Sequence, residues 1–453
     1  LVKDKKSEVR SQKSGEQMDE KVIGERVERL APALGAFLQR MVQTPSLPNE
    51  EGAVQALVAA KLEELGLAVD VVPTRFAELA GHPAFSDDGF SPDQRVNVIG
   101  HWRATETTAT KNAGYGSLLL NGHVDVVSPG DETRWSASPW SGLIRDGKLY
   151  GRGSCDMKAG VTAAIFAVAA LKELGYQPAH DILVQSVIGE ESGGVGALTT
   201  IVKGYRADAA IILEPTRMEL CPVQAGALTF RLTVAGKATH AAMKNEGVSA
   251  IDKFMVLNQA INDLNSQRHA RYHNPLYDDP TNIAPISIGT IRGGLWHSTV
   301  PEAVVAEGRC GVFPGESVAE VRALLAATIQ QAAQADPWLA HYPPRIEWFE
   351  GQFEAAETDV NHPMLQQLMA NHAQVHGAPP AIKGVPYGAD MRLYTNHAHI
   401  PTVLYGPGDV RLAHAVDEYV PLAEVVTVTK AVALTIVSWC GGRMAGRQGD
   451  KQK

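Results

Sequence analysis

Apolar residues recur at three- and four-residue steps in EGAVQALVAAKLEELG, where Val54, Leu57, Val58, Leu62 and Leu65 fall on one helical face and Gly66 ends the run. Strand patterns follow at LAVDVV and VNVIGHW, and the polar, aperiodic residues 104–116 predict a loop. SLLLNGHVDVV reads as a buried strand running into a loop. Lys158 to Leu174 reads as an Ala-rich helix stopped by Gly175, and DILVQSVIG and ADAAIIL as two more strands. Apolar runs of this kind suit a sheet covered on both faces, and strands alternating with helices predict a doubly wound α/β domain.

The texture changes after Pro222. ALTFRLTVAG alternates like a half-exposed strand, a helix is expected from Val248 to Leu264, and NIAPISIGTIRGG and TVPEAVVAEGRCGVF read as two long strands. A helix from Val318 to Gln334 and a strand at RIEWFE complete a βαββαβ order, which predicts a ferredoxin-like unit inserted into the first domain. Strands near Ala381 and Thr402 and a helix from Leu422 to Ser438 return to the α/β pattern. The expected division is a catalytic domain in two parts, 20–222 and 353–442, and an inserted lid and dimerisation domain, 223–352. Residues 1–19 and 443–453 are expected to be flexible tails, with Met18 a candidate start and 1–17 a leader or arm. No internal repeat or low-complexity segment is apparent.

Composition narrows the function. In 453 residues, 41 Lys plus Arg against 50 Asp plus Glu give a formal charge of −9 and a pI near 5.9. That argues against a sequence-independent nucleic-acid binder, which needs a basic surface. The four cysteines, Cys155, Cys221, Cys310 and Cys440, form no C-x-x-C pair, which excludes a thiolate zinc finger and suits a reducing cytoplasm. No uninterrupted apolar run reaches the length of a membrane span, and the charged start has no signal-peptide core.

The chemistry-bearing residues stand just after strands, where ligands of open α/β sheets bind. His123 and Asp125 follow SLLLNG, Asp156 precedes a helix, Glu190 and Glu191 follow LVQSVIG, Glu214 follows AAIIL, and His414 follows TVLYG. Each alone has a plain structural explanation: a loop histidine, solvated acids, an N-cap aspartate. Cys155 reads as packing. Together they bring two imidazoles and several carboxylates to one sheet edge, which repel unless cations balance them. Imidazole nitrogen and carboxylate oxygen suit zinc, and also cobalt or manganese. Two such ions can share a carboxylate.

LLLNGHVDVV, WSGLIRDGKLYGRGSCDMKAG, GEESGGVGA, ILEPT and GPGDVRLAHAVDEYV resemble the M20 metallopeptidase family, whose members include acetylornithine deacetylase, succinyl-diaminopimelate desuccinylase, aminoacylase and carboxypeptidase G. The resemblance covers residues 22–440. It implies two divalent metal ions per chain, His123 and Glu214 on one, Glu191 and His414 on the other, and Asp156 as bridge. It also implies Glu190 as general base, Asp125 orienting His123, a cis peptide after Asp156, and His240 of GKATHAA as an oxyanion donor reaching across a homodimer.

The substrate is less legible. At the position of the family's small-domain arginine stands Gly311, with Arg309 two residues earlier on the same side of the strand. The family's N-x-[IV]-P becomes Ser298 to Pro301, and GADMR resembles a desuccinylase segment, so Asp390 and Arg392 join Ser298, Arg309 and Trp296 as candidate pocket residues. Trp296 and His297 admit a flat aromatic substrate. The expected enzyme is a cytoplasmic two-metal amidohydrolase acting on the N-acyl bond of an N-acyl amino acid or similar small amine. The first alternative keeps the site but deformylates an aminopyrimidine or deaminates an aromatic amine. The second, a non-catalytic binding protein on a hydrolase fold, is disfavoured because every ligand position and the base position carry competent residues. Neither nucleic acid nor membrane is an expected partner.

Overall fold

The computed structural model describes residues 2–91, 94–104 and 115–444. Its centre is a sheet of nine strands, β1 (Ala68–Pro73), β2 (Val96–Trp102), β3 (Leu118–His123), β4 (Ile182–Val187), β5 (Ala209–Ile212) and β6 (Leu220–Gln224), joined later in the chain by β11 (Ala356–Glu357), β12 (Ile382–Val385) and β13 (Thr402–Leu404). Between these parts come β7 (Gly226–Ala235), β8 (Ile286–Gly293), β9 (Ala303–Val312) and β10 (Arg345–Phe353), which form a separate four-stranded antiparallel sheet. The central order is β1-β2-β4-β3-β5-β13-β6-β11, with β12 against β6. β3 runs parallel to both β4 and β5, and β5 to β13, whereas β1 and β2 form an antiparallel margin.

The main helices are α1 (Val2–Val42), α2 (Gly52–Glu64), α3 (Ala159–Glu173), α4 (Val195–Val202), α5 (Ala250–Arg271), α6 (Val318–Gln334), α7 (Pro363–His376) and α8 (Leu422–Cys440). Every residue of β3, β4 and β5 is buried, as expected of central parallel strands covered by helices on both faces. The small residues of α3 let it approach the sheet closely: a Cβ on Gly160 would stand 2.0 Å from the Leu213 carbonyl oxygen. Fully burying each valine or leucine of this core contributes about 1.5–3 kcal/mol. Two helices, Ser154–Glu173 and Leu422–Cys440, are long and apolar enough to cross a membrane, but 94% of the apolar window of the first is buried inside the protein.

The smaller sheet has the order β8-β9-β7-β10. Alternate residues of β7 and β9 (Leu228, Phe230, Leu232 and Val304, Ala306, Cys310) pack under α5 and α6 into a core distinct from that of the central sheet. Both helices start at serine caps; Ser249 accepts from Asp252 N at 3.1 Å, and Ser317 and Glu320 form a capping box.

Several boundaries differ from expectation. α5 runs on to Arg271 because Leu264, Arg268 and His269 remain buried past the point where the apolar pattern fades. α1 and α7 were not foreseen from the pattern, and α1 takes in most of the segment read as an N-terminal tail. Leu1, residues 445–453 and most of the expected loop (105–114) lie outside the described residues.

Candidate metal centre

Three strand ends and two loops bring the acids and histidines together. β3 ends in His123, the turn after β4 carries Glu190 and Glu191, and Glu214 follows β5, so the parallel order β4-β3-β5 makes these neighbours in space. The loop before α3 carries Asp156 in an extended conformation (φ −116°, ψ 100°), two residues ahead of Lys158, which takes the N-cap position of α3, and the Asp156–Met157 peptide is cis. His414 arrives from the last loop, which a small sheet ties down: Tyr419–Pro421 pairs with Lys148–Tyr150.

His123 is at the centre. Its Nε2 lies 3.1 Å from Asp156 Oδ1 and 3.9 Å from both Glu190 Oε2 and Glu214 Oε1. The other oxygen of Asp156 is 3.6 Å from His414 Nε2, which lies 3.0 Å from Glu191 Oε2. Asp156 therefore divides its carboxylate between the two imidazoles. Two overlapping groups could hold a metal ion: His123 with Glu190 and Glu214, and His123 with Asp156 and Glu191.

Asp125 acts differently from the simplest expectation. The Nδ1 of His123 is 2.9 Å from the backbone oxygen of Asp125 and 3.6 Å from its carboxylate. The carboxylate oxygens instead accept the N–H groups of Glu190 and Glu191, at 3.3 and 3.1 Å. One buried residue thus orients the imidazole and holds the glutamate turn.

Burial and then the neighbouring acids push the Glu190 carboxyl well above the usual range, against the pull of His123; Glu214 and Glu191 are raised in the same way. Burial works against charge on His123, yet its bonds to Asp125 and Asp156 hold it well above its ordinary value. His414 is raised by its bond to Glu191. Among the described residues no lysine or arginine pairs with Asp156, Glu190, Glu191 or Glu214 within 4.0 Å. An acidic cluster short of positive charge, with oxygen and imidazole donors facing one another, fits divalent cations.

Asp156, Glu190, Glu191, Glu214 and His414 border a cleft of about 1020 Å³ that Asp88, Phe90, Arg309, Phe353 and Tyr387 also line. Among the described residues Arg309 has no carboxylate partner within 4.0 Å, and burial lowers its affinity for a proton. Asp390 and Arg392 are fully buried beside the cleft rather than in its wall; Arg392 donates to the Gly193 oxygen at 2.8 Å, and burial drives the Asp390 carboxyl up to about 7. His240, Ser298 and Trp296 stand apart from the cleft at the tip of the small sheet, where Ala241 N donates to the Ser298 oxygen at 3.0 Å. His240 is exposed there, and Trp296 is 64% exposed and stacks on His297.

Glu418 was missed. It is buried, paired with Arg152 at 2.6 Å, and its other oxygen accepts the N–H groups of Cys155 and Asp156 at 2.9 and 3.1 Å, so it sets the loop that presents Asp156. Its place four residues after His414 was the only signal in the sequence.

A family model described as peptidase family M20/M25/M40 matches residues 119–438. The chain is 29% identical over 439 residues to N-formyl-4-amino-5-aminomethyl-2-methylpyrimidine deformylase of Bacillus subtilis (strain 168), covering 93% of this chain and 97% of the relative. It is 26% identical to acetylornithine deacetylase of Proteus mirabilis (strain HI4320), covering 90% and 97%. In fold it matches an M20 family metallo-carboxypeptidase from Sulfolobus solfataricus, with a TM-score of 0.68 at 17% identity over 88% of this chain and 97% of the other.

Proposed function

The chain belongs to peptidase family M20/M25/M40, and from that premise we propose that it is a two-metal amidohydrolase that removes a short acyl group from a small amine. It is a hydrolase of C–N bonds; the acyl group, the amine and the roles of individual residues are our reading. The observation that carries the reading is the division of the Asp156 carboxylate between His123 and His414, with Glu190 beside them in the cleft.

His123 and Glu214 would hold one cation, Glu191 and His414 the other, and Asp156 would serve both. Zinc suits this donor set, and cobalt or manganese would fit it too. Divalent cations bound there would lower the pKa of water and polarise the scissile carbonyl. Glu190 takes the proton of the attacking water and passes it to the departing amine. Asp125 keeps His123 in one tautomer and orientation.

The small unit, 223–352, acts as lid and dimerisation domain on the catalytic domain, 20–222 and 353–442. Exposed Ile291 on the edge strand β8 and Ile251, Met255 and Val256 on α5 support pairing with a second copy through this unit. His240 lies on the same unit, and pairing would let it donate to the oxyanion in the partner's cleft. The four buried free cysteines support a reducing compartment, and we place the enzyme in the cytoplasm.

The N-formyl aminopyrimidine is the first substrate to test, because the chain matches a deformylase of that compound over nearly its whole length. An N-acyl amino acid is the second, favoured by Arg309, an unpaired cation in the cleft wall that suits a carboxylate. The test measures amine release from N-formyl aminopyrimidine, N-acetylornithine and N-succinyl amines at known metal content. Turnover of the first by metal-loaded protein, lost with a chelator and regained with zinc, is expected. Full activity in metal-free protein would overturn the mechanism.

A further inference from the structure

Outside the His–carboxylate cluster, the fully buried arginine–carboxylate pairs of the described residues form two groups, and each abuts a site loop. One is Arg152 with Glu418, against the Asp156 loop. The other centres on Arg95 at the start of β2. Its Nη2 donates to Glu51 Oε1 at 2.9 Å and its Nη1 to Asp88 Oδ2 at 2.6 Å, with all three side chains at most 1% exposed. Burying such a group is costly, and an apolar replacement of equal volume often serves stability as well or better. Glu51 records that cost: burial drives its carboxyl up to about 7, and its second oxygen has no partner.

The geometry gives this group a different use. Asp88 Oδ2 also accepts the Ser192 hydroxyl at 3.1 Å. The guanidinium lies against Gly189, whose added Cβ would stand 2.8 Å from Arg95 Nη2 at a φ of +67°. Gly189 and Ser192 flank Glu190 and Glu191 in one tight turn, closed by Gly194 N on the Gly189 oxygen at 2.7 Å. Two strand residues further on, Asn97 Oδ1 accepts Ile188 N at 3.2 Å. Asp125 therefore grips the turn through the N–H groups of Glu190 and Glu191, while Asn97 and Asp88 hold it through Ile188 and Ser192, with Arg95 against Gly189.

We propose that Asp88, held in place by Arg95, is a positioning residue for Glu190 and acts through the Ser192 hydroxyl on the glutamate turn. The proposal rests on Glu190 being the base. Asp125 fixes the N–H groups of Glu190 and Glu191, and Asn97 that of Ile188 before them; the bond from Ser192 to Asp88 adds a side-chain tie at the residue that follows the two glutamates. Misplacing a reacting group by about 1 Å can slow a reaction about 10²-fold.

Ser192→Ala deletes one hydroxyl and leaves the buried ion group intact. It should lower kcat about tenfold and Asp88→Asn about 10²-fold, with KM within about twofold. Metal content should stay at that of the wild type, and amide hydrogen exchange of residues 189–194 should quicken. Ser192→Thr, which restores the hydroxyl, should recover most of kcat. If Asp88→Asn fails to fold, Ser192→Ala and Ser192→Thr decide the matter alone. Wild-type kcat in Ser192→Ala overturns the proposal, as does a fall in kcat with no change in exchange. Glu190→Gln separates the two ideas: if it keeps full turnover the base assignment has failed, whereas an inactive Glu190→Gln beside a fully active Ser192→Ala refutes only the positioning role.

Discussion

At the scale of single residues, the turn after β4 points neighbouring glutamates apart, as the opposite tasks proposed for them require. Glu191 faces His414 at 3.0 Å, while Glu190 lies 3.9 Å from His123 and lines the cleft. Glu190→Gln should therefore keep its metal and lose about 10²–10⁴-fold in turnover, since an amide cannot take the proton from water. His414→Ala should lower metal content instead. Metal analysis beside single-turnover rates on both variants checks the contrast, and wild-type turnover in Glu190→Gln would reassign the base. The two glutamates were legible as a pair from the sequence. Their proposed division of labour came from the family resemblance; the grip of Asp125 on both of their N–H groups was not legible, because it joins residues 65 and 66 apart in the chain.

At the scale of elements, α7 shows how packing overrides pattern. Its apolar face is short, yet it docks on the central domain through His372, whose Nδ1 is 2.7 Å from the Tyr405 hydroxyl. Burial, with the His376 ring stacked 5.0 Å away, lowers His372 to about 4. An unfolded histidine titrates near 6.5. As pH falls below that value the unfolded chain binds a proton that the folded chain refuses, so stability declines between about 6.5 and 4 and this contribution levels off below. In His372→Gln, which can still bond Tyr405, the melting temperature should fall less between pH 7 and pH 5 than in the wild type. Thermal unfolding at the two pH values measures this; equal falls would mean that His372 titrates in the fold as it does in the unfolded chain.

At the scale of the whole molecule, the question is how the small sheet completes a cleft from which its own tip stands apart. If His240 acts in a partner's site, Glu190→Ala and His240→Ala homodimers are each nearly inactive. Co-refolding equal amounts restores one working site in each mixed dimer. Random pairing then gives about a quarter of wild-type activity. Verified mixed dimers with no gain over the parents would exclude action in trans.

The sequence alone determined the alternation of α/β and βαββαβ segments, because apolar periodicity follows directly from which faces must be buried. It also marked His123, Asp125, Asp156, Glu190, Glu191, Glu214 and His414, since each stands at a strand end or loop where a sheet presents its ligands. What it left open required distant chain segments to meet. Glu418 is 262 residues from the Asp156 N–H it accepts, and Ser192 is 104 from Asp88, so no local pattern could reveal either bond. α1 and α7 escaped for the same reason: the partners that bury their faces lie far along the chain, and only tertiary packing supplies the free energy that makes a weakly periodic segment helical.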